Sequence, residues 1–513
     1  MRLTQLVWPL LLGSVGCAAD GASAPSRELS IINAGGGVVV SRGSTTAIGD
    51  LECGAFCAIN FPPRSDVELL AIPDPGQQFL GWAGSCSGTG PCQLLIQDPE
   101  TVTANFGPVL PVQAVDLGAP NDTYLDAMAA LDTTIVVAGA STAFSGLRWL
   151  GPDLVQTAEV SLPEMSQYRD LVVLSSEEVA LVGSRLPVGA TQRRCAHARV
   201  MSSGTTTWSD FACGEGAVQA VSVRGQRTAM AGVFTGTLDL GPAATPGAGG
   251  RDAFVGWQDV TGGPWQALTL GSANDDVAMG VALDPGRPRV WALLSMGAPT
   301  VVAGVDVPAG ISVVAVDEGV FSVVAHLGGV GTFFGDNYTL SFGRMIADVD
   351  GGVLVASSFT GQLAPPAVAA TGVDVVAARI AADGTVMWRE ILTGVGPMHL
   401  LTASIWDDEL VLAGHFEGEL SPSSQSGVGT LTSQGGFDAF VLGIAVGTGD
   451  VRWTRRLGTS YGEDDRGLVA TSASGLVVAA TMRGLASPLD FLMPPVVPTT
   501  HEMRALVSRF ERR

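Results

Sequence analysis

Histidine side chains are the first candidates for chemistry, because imidazole transfers protons and binds metals near neutral pH. The sequence has five of them: His197, His326, His399, His415 and His501. None stands at the short spacing that is typical of metal ligands. We therefore predict no metal site, and no combination of side chains in the sequence predicts a catalytic residue.

Carboxylate groups could instead gather a cation. Asp348-Val349-Asp350-Gly351 places two of them beside a glycine, but the further oxygen ligands and the distal glutamate of a calcium loop are missing. We interpret this segment as a hairpin turn. Asp275-Asp276 and Glu463-Asp464-Asp465 both follow a Leu-Gly pair. We expect such aspartates to cap loops, with a shared cation on one face as the alternative.

Two aromatic segments point toward enzymes. Thr448-Gly449, followed by Trp453, resembles the tryptophan-docking repeat of pyrroloquinoline-quinone dehydrogenases, which would imply a quinone and Ca²⁺. The adjacent cysteine pair common in those dehydrogenases is missing, so we predict a turn with a packed indole and no cofactor. Ser202-Ser203-Gly204-Thr205-Thr206-Thr207-Trp208 resembles a sialidase Asp-box but lacks its aspartate.

A short strand-like segment recurs seven times in the sequence. It indicates the secondary-structure elements that position the candidate residues above. Consecutive copies end 44 to 66 residues apart, which is the spacing of units of about four short strands. The sequence therefore predicts an all-β protein with a seven-bladed β-propeller over residues 108–513. The copies are Ile135–Gly139, Val179–Gly183, Thr228–Gly232, Val290–Leu293, Val353–Ser357, Leu410–Gly414 and Leu476–Ala480.

The last unit is one strand short, and Val112–Gly118 resembles the missing strand. We expect the two to pair and close the propeller, because closure removes exposed sheet edges. The unit containing Ala413-Gly414-His415-Phe416-Glu417-Gly418, Asp438-Ala439-Phe440-Val441 and Thr448-Gly449…Trp453 resembles a bacterial β-propeller repeat of long extracytoplasmic proteins. That resemblance implies the fold and an exported setting, but no particular activity.

Residues 28–107 form a separate domain in the sequence. The phrase Phe79-Leu80-Gly81-Trp82-Ala83-Gly84-Ser85-Cys86-Ser87-Gly88, with Val102…Ala104…Phe106 at the end, resembles the divergent internalin B-repeat domain of bacterial surface proteins. The resemblance implies a small β-grasp-like unit that serves as a spacer or in adhesion. We interpret Trp82 as a core residue, because its flanking glycines allow close packing.

The N-terminus carries an export signal. Residues 1–16 hold one positive residue, an apolar stretch and small residues before Cys17, which resembles the lipobox of bacterial lipoproteins. The resemblance implies cleavage before Cys17 and its acylation, with residues 17–27 as a tether. An ordinary secretory signal is the alternative. Ala18 after the cysteine is similar to the enterobacterial signal for the outer membrane, and no later segment reaches the roughly 20 apolar residues of a spanning helix.

The six other cysteines can all pair, as expected outside the cytoplasm. Cys195 and Cys213 are equidistant from Gly204, so a hairpin that turns at Ser203-Gly204 would set them directly opposite each other and allow a disulfide. The remaining four cysteines allow three connectivities. Because both loops are short, we choose local pairing, Cys53 with Cys57 and Cys86 with Cys92.

The formal charge of −22 disfavours nucleic acid as a partner. We expect a monomer, anchored to the lipid bilayer through Cys17, at the outer membrane or cell surface. Its function is then a surface binding, adhesion or scaffold module, in which the propeller face meets an unknown protein or glycan. The alternatives are an extracytoplasmic propeller enzyme (a quinoprotein-like dehydrogenase, lyase or glycosidase) and a periplasmic outer-membrane assembly factor.

Overall fold

The computed structural model consists of strands and turns, with no helix in the part that it describes. Accordingly, none of that part forms a helix with the length and hydrophobicity needed to span a membrane. Cys17, the export signal and Glu463-Asp464-Asp465 lie outside the described residues. The structure describes residues 26–33, 35–42, 52–73, 77–87, 91–108, 111–117, 124–140, 144–331, 333–334, 340–341, 343–364, 367–423, 428, 430–433, 436–457, 466–472, 475–483 and 503–510.

The chain divides into two compact units. The first holds the residues up to Gly35 with Val39–Ala71 and Gly81–Asn105, and the second holds Gly36–Val38, Ile72–Leu80 and Phe106–Arg513. The predicted boundary at residue 107 falls two residues beyond Asn105, the last residue of the first unit.

The N-terminal segment forms two four-stranded sheets, with orders β4-β1-β8-β6 and β3-β2-β5-β7. In the first sheet, β1 and β8 run parallel. Alternation of apolar and polar residues in β1 and β5 buries one face of each strand. Trp82 is 6% exposed, so its interpretation as a core residue is confirmed. The strands are β1 (Arg27–Asn33), β2 (Gly37–Arg42), β3 (Glu52–Cys53), β4 (Phe56–Phe61), β5 (Ser65–Pro73), β6 (Gln77–Gly84), β7 (Cys92–Ile96) and β8 (Glu100–Pro108).

The remaining strands form the seven predicted blades, each with four antiparallel main strands. Blade 1 is β10 (Tyr124–Leu131), β11 (Thr134–Ala140), β12 (Ser145–Leu150) and β13 (Gln156–Ser161). Blade 2 is β14 (Met165–Val173), β15 (Glu178–Arg185), β16 (Arg194–Met201) and β17 (Thr206–Phe211). Blade 3 is β18 (Ala217–Arg224), β19 (Arg227–Leu238), β20 (Thr245–Gln258) and β21 (Gln266–Leu270).

Blades 4 to 6 carry additional short hairpins. Blade 4 is β22 (Val277–Leu283), β23 (Arg289–Met296), β26 (Gly310–Asp317) and β27 (Val320–Gly331), with β24 (Thr300–Val302) and β25 (Val305–Val307) inserted. After β28 (Phe333–Phe334) and β29 (Leu340–Ser341), blade 5 is β30 (Gly343–Ala347), β31 (Val353–Leu363), β32 (Asp374–Ile380) and β33 (Val386–Thr393). Blade 6 is β34 (Met398–Trp406), β35 (Glu409–Phe416), β38 (Asp438–Ala445) and β39 (Val451–Leu457), with β36 (Glu419–Pro422) and β37 (Leu431–Thr432). Blades 4 and 5 belong to one continuous sheet, because β27 pairs with β31, and the β36–β37 hairpin joins its end through β33.

Blade 7 joins the two ends of the propeller. It contains β40 (Arg466–Ser472), β41 (Gly475–Arg483), β42 (Met503–Phe510) and, from the start of the propeller, β9 (Pro111–Asp116). Val507 pairs with Val115, so the predicted closing strand is confirmed. The pairing gives the outer edge of β42 a partner strand. It thereby covers an edge with which strands of other chains could pair.

The first strands of the blades form a closed ring around the propeller axis. Each of β10, β14, β18, β22, β30, β34 and β40 packs against the next, and β40 packs against β10. In five blades a bulge at the same place in this strand inserts one extra residue into the ladder. These residues are Asp126, Arg169, Gln219, Met279 and Leu401.

The turn of the β16–β17 hairpin is centred one residue before the predicted position, so the strand register differs from the prediction by two residues. Gly204 has a φ of 95°, but Val200 pairs with Thr206, so the turn is centred on Ser203 and Cys195 lies opposite Phe211 rather than Cys213. The shift arises because the turn closes with Met201 and Thr205 hydrogen-bonded at 2.8 Å. Cys213, beyond the end of β17, reaches back diagonally.

Candidate binding site at the propeller axis

Charged side chains lie on the inner strands of two blades on opposite sides of the ring. Arg169 occupies the bulge of β14 in blade 2, and Asp170 follows it. Arg344 lies on β30 in blade 5. At the position of Asp170, blades 1 and 3 have the small residues Ala127 and Ala220. Blades 2 and 5 therefore bring charge to the ring, in addition to Asp126 at the bulge of blade 1.

The Asp170 carboxylate is held by backbone amides. Its Oδ2 accepts a hydrogen bond of 2.9 Å from the Val221 amide of blade 3, and its Oδ1 accepts one of 3.0 Å from the Leu171 amide. The side chain thus bridges two neighbouring inner strands. These bonds fix the carboxylate in place, as a preorganised binding site requires.

Arg344 forms no ion pair with Asp170, and its Nη1 donates to the Gly343 carbonyl at 2.9 Å. Burial raises the pKa of Asp170, and the positive charge of Arg344 opposes that rise. Burial likewise lowers the pKa of Arg344, and the charge of Asp170 opposes that fall. Both side chains are half-buried, so each charge is partly desolvated and only weakly compensated by the other.

The equivalent contact in blade 6 shows that the ring itself does not need this charge. Thr402 follows the bulge at Leu401, just as Asp170 follows the bulge at Arg169. The Thr402 Oγ1 accepts a hydrogen bond of 2.8 Å from the Val469 amide of blade 7. A neutral hydroxyl therefore joins two inner strands in the same way as the carboxylate. The negative charge of Asp170 is additional to its structural role.

Further polar side chains lie on blades 2 and 3. Arg169 is buried and donates a hydrogen bond of 2.8 Å to the Gln167 Oε1. The Ser184 hydroxyl donates to the same oxygen at 3.2 Å. Gln219, at the bulge of β18, is 2% exposed. These groups give the site donors and acceptors for uncharged parts of a ligand.

A second cluster lies in blade 6. His399 and His415 are cross-strand partners on β34 and β35, with their ring centroids 5.1 Å apart, and Phe437 lies 4.8 Å from His415. Burial lowers the pKa of His399 to about 4, so this imidazole is neutral at physiological pH. The sequence interpretation treated these histidines as scattered, whereas the structure brings two together.

The acidic segments that the structure describes have structural roles. Asp276 accepts hydrogen bonds from the Ser272 hydroxyl and the Gly297 amide at 3.0 and 2.8 Å, which confirms loop capping. Asp348 and Asp350 both pair with Arg379, at 2.6 Å each. Within the described chain, no group of three histidine, cysteine or acidic residues is arranged to hold a metal ion.

The tryptophan segment forms an inter-blade contact. The Trp388 Nε1 of blade 5 donates to the Val446 carbonyl of blade 6 at 2.7 Å. Gly449 has a φ of 82°, and a side chain there would meet the Trp388 ring at 2.8 Å. Trp453 instead donates to the Glu409 Oε2 at 2.8 Å within its own blade. The predicted turn with a packed indole is present, and the packed indole is that of the preceding blade.

All three expected disulfides are present. Cys53–Cys57 and Cys86–Cys92 each connect the two sheets of the N-terminal segment, with Cα atoms 5.6 and 5.8 Å apart. Cys195–Cys213 has a Cα distance of 5.8 Å. The first two bonds stabilise a unit whose core is small.

Asp170 and Arg344 were not among the residues singled out from the sequence. Each lies on the strand that precedes a recurring phrase, where most units have apolar or small residues. An alignment of the units in register would have exposed both as charged exceptions.

Comparison with known proteins identifies one part of the chain. Residues 29–109 match the divergent InlB B-repeat domain family, which confirms that resemblance. No curated protein sequence matches the chain.

Several solved structures are similar at low identity. A catalytically inactive variant of virginiamycin B lyase from Staphylococcus aureus, solved with quinupristin, is 10% identical and covers 77% of this chain and 99% of its own, with a TM-score of 0.39. YCF48 from Cyanidioschyzon merolae is 11% identical over 78% and 99%, with a TM-score of 0.38. Quinohemoprotein alcohol dehydrogenase from Comamonas testosteroni is 9% identical over 78% and 76%, with a TM-score of 0.37. These scores are too low to support an argument from the similar structures. The assignment of a propeller therefore rests on the sheets of this chain.

Proposed function

We propose that this protein is a membrane-anchored, extracytoplasmic binding module that takes its ligand at the axis of the propeller. The charges of Asp170 and Arg344 on the inner ring carry this proposal, because at the position of Asp170 the fold needs only a hydrogen-bond acceptor. Charges that a fold does not require are typical of ligand binding. The ligand is a glycan or a protein at the cell surface.

The N-terminal segment fits the same role. Its family resemblance implies a spacer or adhesion unit, and its two disulfides stabilise it outside the cytoplasm. In this proposal acylated Cys17 anchors the chain, and the B-repeat domain separates the propeller from the bilayer. Replacing Cys17 by alanine should release the protein into the soluble fraction. A variant that stays membrane-bound and uncut would contradict the lipoprotein assignment.

The location is tested by protease treatment of intact host cells, with immunodetection of this protein and of a periplasmic control. Digestion of the propeller while the control survives supports a cell-surface module. Protection of both proteins would place the propeller in the periplasm and favour an envelope-assembly role.

Axial binding is tested with Arg344→Gln on arrays of immobilised bacterial polysaccharides and host secreted proteins. Arg452→Gln is the matched control, because Arg452 pairs with Asp408 and Glu409 on the same blade and has no part in the axial pair. We expect Arg344→Gln to lose at least ten-fold in binding and the control to retain it. Equal binding by both variants, or no binding by the wild-type protein, would contradict the proposal.

An axial enzyme is the second candidate. The observation that favours it is the same carboxyl group, which two backbone amides hold on the inner ring and whose raised pKa suits a general acid. Turnover of an array glycan that stops in Asp170→Asn would support it, whereas unchanged ligand recovered after binding would favour the binding module.

A further inference from the structure

We infer that the edge strand β4 of the N-terminal segment docks on the β4 strand of a second copy of this chain, so that two copies share one antiparallel sheet. The inference is independent of the axial site and its ligand. It departs from the monomer expected from the sequence, which does not reveal an open sheet edge. Three observations carry it: the open backbone groups of β4, the symmetry of their positions, and the absence of charge along the strand.

β4 lies at one edge of its sheet and pairs with β1 on its inner side. Antiparallel pairs alternate between hydrogen-bonded and non-hydrogen-bonded positions. The Asn33 amide donates to the Ala55 carbonyl at 3.0 Å, so that pair is hydrogen-bonded and the next pair, which contains Phe56, is not. The backbone groups of Phe56, Ala58 and Asn60 therefore point away from β1.

These outward backbone groups are open to another strand. No residue in the described part of the chain forms a hydrogen bond with the amides or carbonyls of Phe56, Ala58 and Asn60, and all three residues are exposed. Sheet edges are commonly protected by a bulge, a proline or a charge. β4 has none of the three between Phe56 and Phe61. The edge is therefore suited to the addition of a strand.

The open positions are symmetric about Ala58. When a second β4 approaches antiparallel with the two Ala58 residues opposite each other, Phe56 of each copy lies opposite Asn60 of the other. All three pairs then direct amides and carbonyls at each other, which gives about six hydrogen bonds. A shift of two residues leaves only two such pairs, because Gly54 or Pro62, outside β4, takes the third position. The strand therefore specifies its own register.

The same register suits the exposed side chains. Phe56 is 61% exposed, and its cross-strand neighbour Ile32 on β1 is 40% exposed. Ala58 places only a methyl group at the two-fold axis, so the two backbones can approach. The Phe56 ring then lies beside Ala58 and Asn60 of the second copy. The contact is self-complementary, as a two-fold interface requires, and it covers apolar surface that a single copy exposes.

Charge favours a second copy as the occupant of this edge. The chain has a formal charge of −22, so copies repel each other at long range, but β4 itself carries no charged residue. Glu52 precedes β4 in the chain and Arg64 follows it. Antiparallel pairing brings the Glu52 end of one strand to the Arg64 end of the other. Arg27 and Glu28 of β1 also lie at the Arg64 end and offset each other.

The contact is small, and its strength follows from its size. One pair of edge strands buries less than about 1,200 Å², which is the range of weak and transient complexes. We therefore expect a reversible dimer with a Kd of about 1 to 100 μM in solution. Sedimentation equilibrium of the full chain, in a non-ionic detergent that disperses an acylated N-terminus, measures this constant.

Cross-linking between introduced cysteines tests the register. Ser30 pairs with both Ala58 and Thr101, so these three residues form a row across the sheet. In the dimer, the two Ala58 Cα atoms are about 5.5 Å apart, whereas the two Thr101 Cα atoms are about 24 Å apart, at about 4.8 Å for each strand. A short bismaleimide should join Ala58→Cys and not Thr101→Cys. The chain without an introduced cysteine is the blank.

Two substitutions should weaken the dimer by different routes. Ala58→Pro removes the amide of the central pair and keeps the bonds to β1, because that amide points outward. Phe56→Lys places a charge on the open edge. Leu95→Lys is the matched control, because Leu95 is 47% exposed on β7, at the edge of the other sheet. We expect each β4 variant to raise the Kd at least ten-fold and the control to leave it unchanged.

Thermal midpoints and circular dichroism show whether each variant is folded, and if Ala58→Pro is not, Phe56→Lys decides alone. A chain that stays monomeric up to about 1 mM would overturn the inference. So would a dimer that Phe56→Lys does not weaken, or equal cross-linking of Ala58→Cys and Thr101→Cys. Arg344→Gln should dimerise like wild type, which separates this interface from the axial site.

Discussion

Replacing Asp170 by asparagine should stabilise this protein at neutral pH, although it removes a charge opposite in sign to that of Arg344. Asparagine keeps an oxygen for the Val221 amide, so the bond of 2.9 Å between blades 2 and 3 is retained. What is lost is the charge, together with the acceptor of the 3.0 Å bond from the Leu171 amide. Because burial raises the pKa of Asp170 in the folded state, the charged form is held less well there than in the unfolded chain.

The sign of the pH dependence follows from that rise. In the wild-type protein, a carboxyl whose folded pKa is raised lowers the stability progressively as the pH rises from the unfolded pKa through the folded one. Each unit of elevation corresponds to about 1.4 kcal/mol. The gain from Asp170→Asn should therefore be absent below about pH 4, grow as the pH rises, and level off above the folded pKa.

Thr402→Val is the matched comparison, because the side chains of threonine and valine have nearly the same shape. It leaves the Val469 amide without its acceptor, which costs about 1–3 kcal/mol for a buried donor. That loss involves no titrating group and should be the same at pH 4 and pH 7. Opposite effects of two changes at equivalent ring positions separate the charge of Asp170 from its hydrogen bond.

The assay is denaturant unfolding at pH 4, 5.5 and 7, followed by tryptophan fluorescence, with the midpoints of both variants compared with wild type. The midpoint of Asp170→Asn relative to wild type should be higher at pH 7 than at pH 4. A lowered midpoint at pH 7, or a shift of the same size at every pH, would refute the argument that the Asp170 charge is held at a cost to folding.

Three further predictions concern other parts of the propeller. Replacing both Cys195 and Cys213 by serine should destabilise blade 2 by about 3 kcal/mol, because the disulfide closes a loop of 18 residues; an unchanged thermal midpoint under non-reducing conditions would contradict this. Trp388→Phe removes the bond of 2.7 Å to the Val446 carbonyl and should cost about 1 kcal/mol, measured by urea unfolding, whereas a midpoint equal to wild type would argue against inter-blade docking. The pKa of His399, lowered to about 4, makes stability fall as the pH drops from about 6.5 toward 4; His399→Gln should flatten that part of the curve, and an unchanged slope would count against burial of this imidazole.

Periodicity was sufficient to predict the architecture from the sequence. Each blade repeats a strand phrase of fixed character, so the number of blades and the missing strand at the end of the chain could be counted. The closure of β9 on β42 follows from the same count. Short loops likewise limited the pairing of Cys53 with Cys57 and of Cys86 with Cys92.

Register and long-range contacts were harder to predict, because bulges and turns change the count by one. The bulge at Leu401 brings His399 directly opposite His415, a pairing that an unbroken ladder around the same turn would not give. The turn after Val200 shifts Cys195 opposite Phe211. Neither irregularity has a sequence signature as strong as the strand phrase, since both depend on how the backbone satisfies its hydrogen bonds locally.

Asp170 and Arg344 were missed for a different reason: they share the inner ring only because seven blades close. Neither residue belongs to a motif, and each interrupts the apolar pattern of an inner strand. Thr402 shows that the position of Asp170 can be filled without charge, and burial acts against the ionised forms of both Asp170 and Arg344. A fold stabilised by packing has no need for these charges at its centre. The simplest physical reason to keep them is a ligand that binds at the axis, so replacing Asp170 should change ligand binding as well as the pH dependence of stability.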